Sequence, residues 1–457
     1  MDITDVRDLD RAGLRRLGKE LRAAAPRAGL GSWTPSPDRP DPVEVLRAGA
    51  VDRLPALAPI RIGRMAVDPF AFLRGSAEVM AGDIGPSTTS GIPVQVCGDA
   101  HLVNFGLFAT TERHLVFDLN DFDETTVGAW EWDVLRLAAS VVVAARANGM
   151  DAAVARTASR QVATSYRERM AELAELSALE RRYLRIDIDA VLDALRTAEG
   201  AGKQLRRTEK QVAKARRKDR FNALERFTEV RDGRRVIVAD PPLVQPLPHD
   251  AFREELLALF AGYRSTLPSH VVHLLEDHRF VDIALKVVGV GSVGTRALMV
   301  LLAGRADLDP LFLQIKEAGA SVFEPWAAPA TWASAGQRVV EGQRLLQAAG
   351  DLFLGWGSAG GRDYYLRQLR DMKGGADVTR MLPAGLHRYA GLCAVALANA
   401  HARSQQPALI SGYLGTNDKA DDAVARFAVA YADQTERDHA ALVSAVRAGR
   451  IEAIEGV

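Results

Sequence analysis

Apolar positions change their spacing several times along this chain, and each change predicts an element. From "WEWDVLRLAASVVVAARANG" to about residue 220, Ala, Leu and Arg recur at three- and four-residue intervals, the spacing of helices with one buried face. Before that stretch, "VQVCGDAHLVNFGLF" and "HLVFDLNDFDE" each set a short apolar run ahead of polar residues, as strands do ahead of loops. "FTEVRDGRRVIVADPPLV" predicts a hairpin turning at Asp232-Gly233, and a helix is expected over 250–278. The texture then becomes strand-like in "ALKVVGVGSVGTRALMVLLAG" and "PLFLQIKEA". Helical spacing returns over about 333–349, "DYYLRQL" predicts a strand, and helices are expected from 383 to the end. Residues 1–60 combine a charged helical start with "TPSPDRPDP" (34–42), which predicts an extended arm.

At 457 residues the chain is long for one core, so two or three lobes are expected. Lys+Arg and Asp+Glu are both 58, so no bulk field draws it to nucleic acid or anionic lipid. The charged start and the lack of any apolar run near the roughly 18 residues of a span predict a soluble, cytoplasmic protein. Two cysteines, Cys97 and Cys393, are too few for a disulfide framework. Only nine of the 58 basic residues are lysine, so a lysine within an apolar run is a departure. The basic run over 203–220 is expected to be a solvated helix face.

Lys316 is such a departure, inside "LFLQIKEA". Burying an ammonium is costly without an anion beside it. It follows "GVGSVG" (Gly289, Gly291, Ser292, Gly294), a pattern with two opposed meanings. In a dinucleotide site a helix opens directly after the last glycine. In a kinase a strand follows, and the next strand carries a lysine that pairs with ATP phosphates under the glycine loop. The strand pattern favours the second. Glu341 in the following helix is the expected partner of Lys316, with Glu317 and Glu324 as alternatives.

Far upstream, "CGDAHLVN" sets Asn104 five after Asp99, and "FDLNDFDE" adds Asp118, Asp121 and Asp123. Phosphoryl transfer needs an aspartate to take or orient a hydroxyl proton and oxygen ligands for magnesium. "GDAHLVN" followed by "NDFDETTVGAWEWDVLRLA" resembles the catalytic segment of aminoglycoside phosphotransferases and related kinase-like enzymes. That resemblance implies a catalytic Asp99, magnesium ligands Asn104 and Asp121, a helix-start Asp133 bracing the loop, a loop histidine at His101, and Asp123 as a further metal ligand. Cys97 stands where those enzymes usually carry histidine. Over nearly its whole length the chain also resembles the bacterial domain of unknown function 2252, through "PFAFLRGSA", "CGDAHLVNFG", "DLNDFDET", "VGVGSVGTR", "LQIKEA", "LRQLRDMKG" and "AHARS".

The catalytic segment precedes the glycine loop, the reverse of ordinary kinases. The reading is therefore an α+β, two-lobed protein kinase-like fold in circularly permuted order. An arm occupies 1–85, part of the large lobe 86–274, the small lobe and hinge 275–375, and helices completing the large lobe 376–457. Gln368 and Leu369 fall at the hinge expected to meet the nucleotide base. The expected activity is ATP- and Mg2+-dependent phosphotransfer to a hydroxyl of an unidentified small molecule or protein, with no membrane or nucleic-acid partner. A nucleotide-binding pseudokinase and nucleotidyl transfer by the same site are the alternatives. Arg74 is a candidate phosphate contact, whereas His401 is expected to be a hydrogen-bonded core histidine.

Overall fold

In a computed structural model of the chain, the described residues are 6, 8–197, 202–247, 253–287, 289–291, 293–304, 309–329, 331–369 and 372–456. The N-terminal helices are α1 (Arg11–Glu20), α2 (Pro42–Ala48), α3 (Ala58–Ala66), α4 (Pro69–Gly75) and α5 (Ala77–Ile84). Asp10, Asp41 and Asp68 cap α1, α2 and α4 by accepting main-chain N–H groups, and proline opens α2 and α4 where its missing N–H costs nothing.

Four strands follow: β1 (Pro93–Val96), β2 (Phe105–Ala109), β3 (Leu115–Leu119) and β4 (Thr126–Ala129). β1 pairs with β4 and β2 with β3, both antiparallel. The β1–β2 and β3–β4 connections, which carry Asp99 and Asp121, therefore leave the same two strand pairs side by side. Helix α6 (Trp130–Ala147) is buried on nearly every side, and α7 (Ala152–Leu173) packs along it. Beyond these come α8 (Ala178–Tyr183), β5 (Ile186–Asp187), α9 (Ile188–Thr197), α10 (Gly202–Arg216) and α11 (Arg220–Phe227). The expected hairpin is present as β6 (Thr228–Arg231) and β7 (Arg234–Ile237), turning at Asp232 and Gly233, both with positive φ (51° and 74°).

Strand β8 (Val244–Pro246) starts the second structural unit, before α12 (Arg253–Ser265) and α13 (Ser269–Glu276). Then come β9 (Arg279–Lys286), β10 (Ala297–Ala303), β11 (Pro310–Ala318), α14 (Ala335–Leu346), β12 (Gly355–Ala359) and β13 (Arg362–Gln368). These strands form one antiparallel sheet ordered β12-β13-β11-β10-β9-β8. The α12 and α13 helices, expected with the large lobe, instead cover one face of this sheet through Leu259, Tyr263, Val271 and Leu275. The chain returns through β14 (Gly374–Gly375), which pairs with β2, to α15 (Pro383–Ser404), α16 (Pro407–Leu414) and α17 (Lys419–Arg447). α15 and α17 pack on α6 and α7, so one helical body is assembled from both ends of the chain. Among the described residues no helix is long and apolar enough to cross a membrane.

Candidate functional site

The Asp99 loop is shaped by contacts that need no charge. Gly98 takes φ +82°, and a Cβ there would lie 2.2 Å from the carbonyl oxygen of Glu124, so only glycine fits. Asp133, in the first turn of α6, accepts the Cys97 N–H on Oδ2 at 2.8 Å and the Gly98 N–H on Oδ1 at 2.9 Å. His401 from α15 reaches the same carboxylate at 3.1 Å, and its other ring nitrogen meets the Tyr166 hydroxyl at 2.8 Å. The loop is thus braced through its main chain, and the buried thiol of Cys97, free of any disulfide, joins the brace by donating to Asp133 Oδ1 at 3.6 Å.

Arg136, one turn beyond Asp133, donates from Nε to Asp99 Oδ1 and from Nη2 to the Leu73 carbonyl at 2.9 Å. Asp99 keeps 19% of its side chain exposed. Burial, with Glu124 and Asp121 nearby, outweighs Arg136 and pushes its carboxyl up to about 7. Asn104 donates from Nδ2 to the Asp99 carbonyl at 2.7 Å, leaving its Oδ1 as the acceptor it offers the site. His101 accepts the Val103 N–H on Nδ1 and lies 3.6 Å from Asp99 Oδ2 through Nε2. Burial, helped by Arg136 and Arg74, holds its pKa well below normal, so it is neutral and supports the loop.

The second loop meets the sheet. Lys316 Nζ donates to Asp123 Oδ2 at 2.5 Å, across 193 positions of sequence, and stands 3.7 Å from Asp121 Oδ1. Burial opposes its charge, but Asp121 and Asp123 prevail and raise its pKa. The Tyr365 hydroxyl donates to Asp123 Oδ1 at 2.6 Å. Burial raises the Asp123 carboxyl, but Lys316 and Tyr365 outweigh it and hold the group below its ordinary range. Arg338 of α14 donates to the carbonyls of Thr125, Asp123 and Gly319, and Arg367 to that of Asn120.

Two expectations need correcting here. Glu341 is not the partner of Lys316: it pairs with Arg344 on its own helix at 2.8 Å, because α14 turns Arg338, not Glu341, towards the loop. The alternatives fare no better, since Glu317 is held by Arg296 and Arg362, and Glu324 is exposed. Asp123, expected as a further metal ligand, is instead the counter-ion that Lys316 meets, its Oδ2 accepting from Lys316 and its Oδ1 from Tyr365. Asp121 Oδ1, by contrast, is buried without a hydrogen bond. Among the described residues no three His, Cys, Asp or Glu side chains converge as a metal cage.

The glycine turn joins β9 to β10, so a strand, not a helix, follows Gly294, against the dinucleotide alternative. Gly294 has φ +92°. Its carbonyl accepts the Leu54 N–H at 2.7 Å, and Arg53 grips the carbonyls of Gly291 and Val293 at 2.9 and 2.6 Å. A Cβ on Gly291 would lie 3.4 Å from the Arg74 carbonyl, whereas Gly289 is open around its α-carbon. Ser292 lies outside the described residues. Arg74 has a buried Nε with no hydrogen-bond partner and carries a charge interaction with Asp99. Beside the site opens a cleft of about 660 Å³, lined by Asp121, Gln343, Arg367, Gln368 and Lys373 among others. Gln368 lines it as expected, but Leu369 does not: its N–H binds the Phe312 carbonyl at 2.9 Å and its side chain packs beside Phe312.

Sequence reasoning missed Arg136, Arg338 and Tyr365. Arg136 carried a signal, three residues after Asp133 on a helix otherwise apolar there; Arg338 was one arginine among many.

Fold and site together define a mixed helix-and-sheet protein in which a buried lysine of the sheet meets two aspartates held by the helical body. Residues 53–445 match the model of a family described as an uncharacterised protein conserved in bacteria, DUF2252, and the chain belongs to that family. No curated protein matches the chain, and no solved structure does.

Proposed function

We propose that this protein is an ATP- and magnesium-dependent phosphotransferase with a kinase-like fold in permuted order. The observation carrying this reading is the meeting of Lys316 with Asp121, 3.7 Å apart although their motifs are remote in sequence. The strand succession supports it: two strands around a glycine turn, a third bearing lysine, a helix, then two strands that rejoin the third.

On this reading Asp99 takes the proton of an acceptor hydroxyl as its oxygen bonds to the γ-phosphorus and the bond to the bridging oxygen breaks, releasing ADP. A carboxyl poised near 7 suits that exchange at neutral pH. Lys316 grips the α- and β-phosphates, and the Gly289–Gly294 turn covers them. The buried Asp121 Oδ1, which accepts no hydrogen bond and lies 3.7 Å from Lys316, and the oriented Asn104 Oδ1 fit a hard cation that takes its other ligands from phosphate and water. Magnesium held there would neutralise charge on the transferring group. Arg74, with its unpartnered Nε, is placed to meet the acceptor side of that group.

The test is calorimetric titration of the full chain with Mg·ATP, followed by transfer of labelled phosphate to hydroxyl-bearing small molecules and proteins. Asp99→Asn is expected to keep binding and to lose about 10² or more in rate. Transfer of α-label instead of γ-label would replace this reading with nucleotidyl transfer, and binding without turnover in any acceptor would favour a pseudokinase.

A further inference from the structure

The sheet face that carries Lys316 continues as an apolar surface. Side chains alternate along a strand, so Phe312 and Gln314 share Lys316's face. The register sets Leu301 across from Phe312 and Met299 across from Gln314, with Ala284 across from Met299. Phe312, Met299, Leu301 and Ala284 are all buried. What covers them is not the helical body but Ala223, Leu224 and Phe227 of α11, together with Ile237. The Phe227 ring meets Phe312 edge-on, centroids 6.2 Å apart, and Lys286 Nζ stands 4.3 Å over the Phe227 ring. The Met372 N–H donates to the Lys218 carbonyl at 2.8 Å just before α11, and the Ile237 N–H to Asp282 at 2.6 Å beyond it.

We propose that α11 is a built-in plug of the nucleotide base site, so that the base seats only when α11 lifts from the sheet. The inference rests on the nucleotide reading above. With the triphosphate fixed between the glycine turn, Lys316 and Asp121, ribose and base must extend along the sheet. A flat, largely apolar base seats on apolar and aromatic side chains. On the side away from Tyr365 and Trp356, which pack with the helical body, the apolar surface continuous with Lys316 is the one that Leu224 and Phe227 cover. The open cleft ends at the same element: Lys218 and Arg220, at the start of α11, line it alongside Leu311. Lifting α11 would therefore join the cleft to the covered face. As a two-turn helix whose buried residues are Ala223 and Leu224, α11 belongs to the part of a fold that opens at low cost.

A site competent only in the open fraction binds with an affinity reduced by that fraction. Binding of a fluorescent ATP analogue with Mg2+ to the full chain is thus expected to tighten at least about tenfold in Phe227→Ala and to stay unchanged in Phe227→Leu. Lys316→Ala should weaken binding in both backgrounds. If Phe227→Ala binds no tighter while Lys316→Ala still weakens binding, the plug is overturned and the nucleotide site stands. If no form binds, the nucleotide reading fails and the plug with it. Should Phe227→Ala not fold, hydrogen exchange of the unaltered protein decides: Mg·ATP is expected to speed exchange of the α11 amides, and slower exchange would overturn the proposal.

Discussion

The loops bearing Asp99 and Asp121 lie side by side, yet they are fastened to different halves of the molecule. The Asp99 loop is tied to α6 and α15 by Asp133, Arg136 and His401, so it moves with the helical body. The Asp121 loop is tied to the sheet unit by Lys316, Tyr365, Arg367 and Arg338. Main-chain N–H groups dominate the first set and ionised side chains the second. The loops are nonetheless joined to each other by the β1–β4 and β2–β3 pairs and by the Asn120 N–H, which donates to the Asn104 carbonyl at 3.0 Å, so the side-chain ties from the sheet unit reach a single two-loop body.

The contrast breaks most severely at Asp133. Asp133→Ala strips the acceptor from two buried amides and from His401, and should cost about 4 kcal/mol in urea denaturation, since each orphaned buried donor costs about 1–3. A loss under about 1 kcal/mol would show the brace to be redundant. Lys316→Met should cost about 3 kcal/mol at neutral pH by leaving two half-buried carboxylates, Asp121 and Asp123, without the buried lysine's charge. Asp123, held below its ordinary range when folded, contributes stability that is present above the unfolded pKa and lost as pH falls through the folded one. The gap between variant and parent should therefore narrow only as pH falls below the ordinary carboxylate range, where Asp123 of the folded parent takes up its proton. A gap that persists there would place the lysine's contribution in packing.

Turnover gives the next, smaller effect. With the Asp99 carboxyl at about 7, kcat/KM should fall about tenfold for each pH unit below that value and level off above it. A flat profile between pH 5.5 and 8.5 would remove Asp99 as the proton acceptor. Tyr365→Phe deletes one hydrogen bond to a charged partner and should cost about 1–2 kcal/mol. Smallest is Glu341→Gln, a half-buried i,i+3 pair with Arg344, expected to change stability by under about 1 kcal/mol and nucleotide affinity not at all. A large loss of affinity would restore Glu341 as the partner of Lys316.

Local pattern made much of this legible. The β6–β7 turn followed from Asp-Gly, whose two residues take the positive φ such a turn needs. Alternating apolar runs gave β9 to β11 with lysine in the third strand, and helical spacing over 333–349 gave α14 within two or three residues at each end. The choice of counter-ion was not legible, because Glu341 and Asp123 are equally plausible by charge and only the path of the β3–β4 connection decides between them. The side taken by α12 and α13 was also hidden: either unit offered an apolar face for theirs. Nor does any motif mark α11, whose importance lies wholly in what it touches.

The helical body's divided origin bears on synthesis. Helices α6 and α7 leave the ribosome early, but their apolar flanks are sealed only by α15 and α17, after Pro383 and everything between has been translated. At about 5–20 residues per second the nascent chain carries that uncovered apolar surface for about ten seconds or more before its partners emerge.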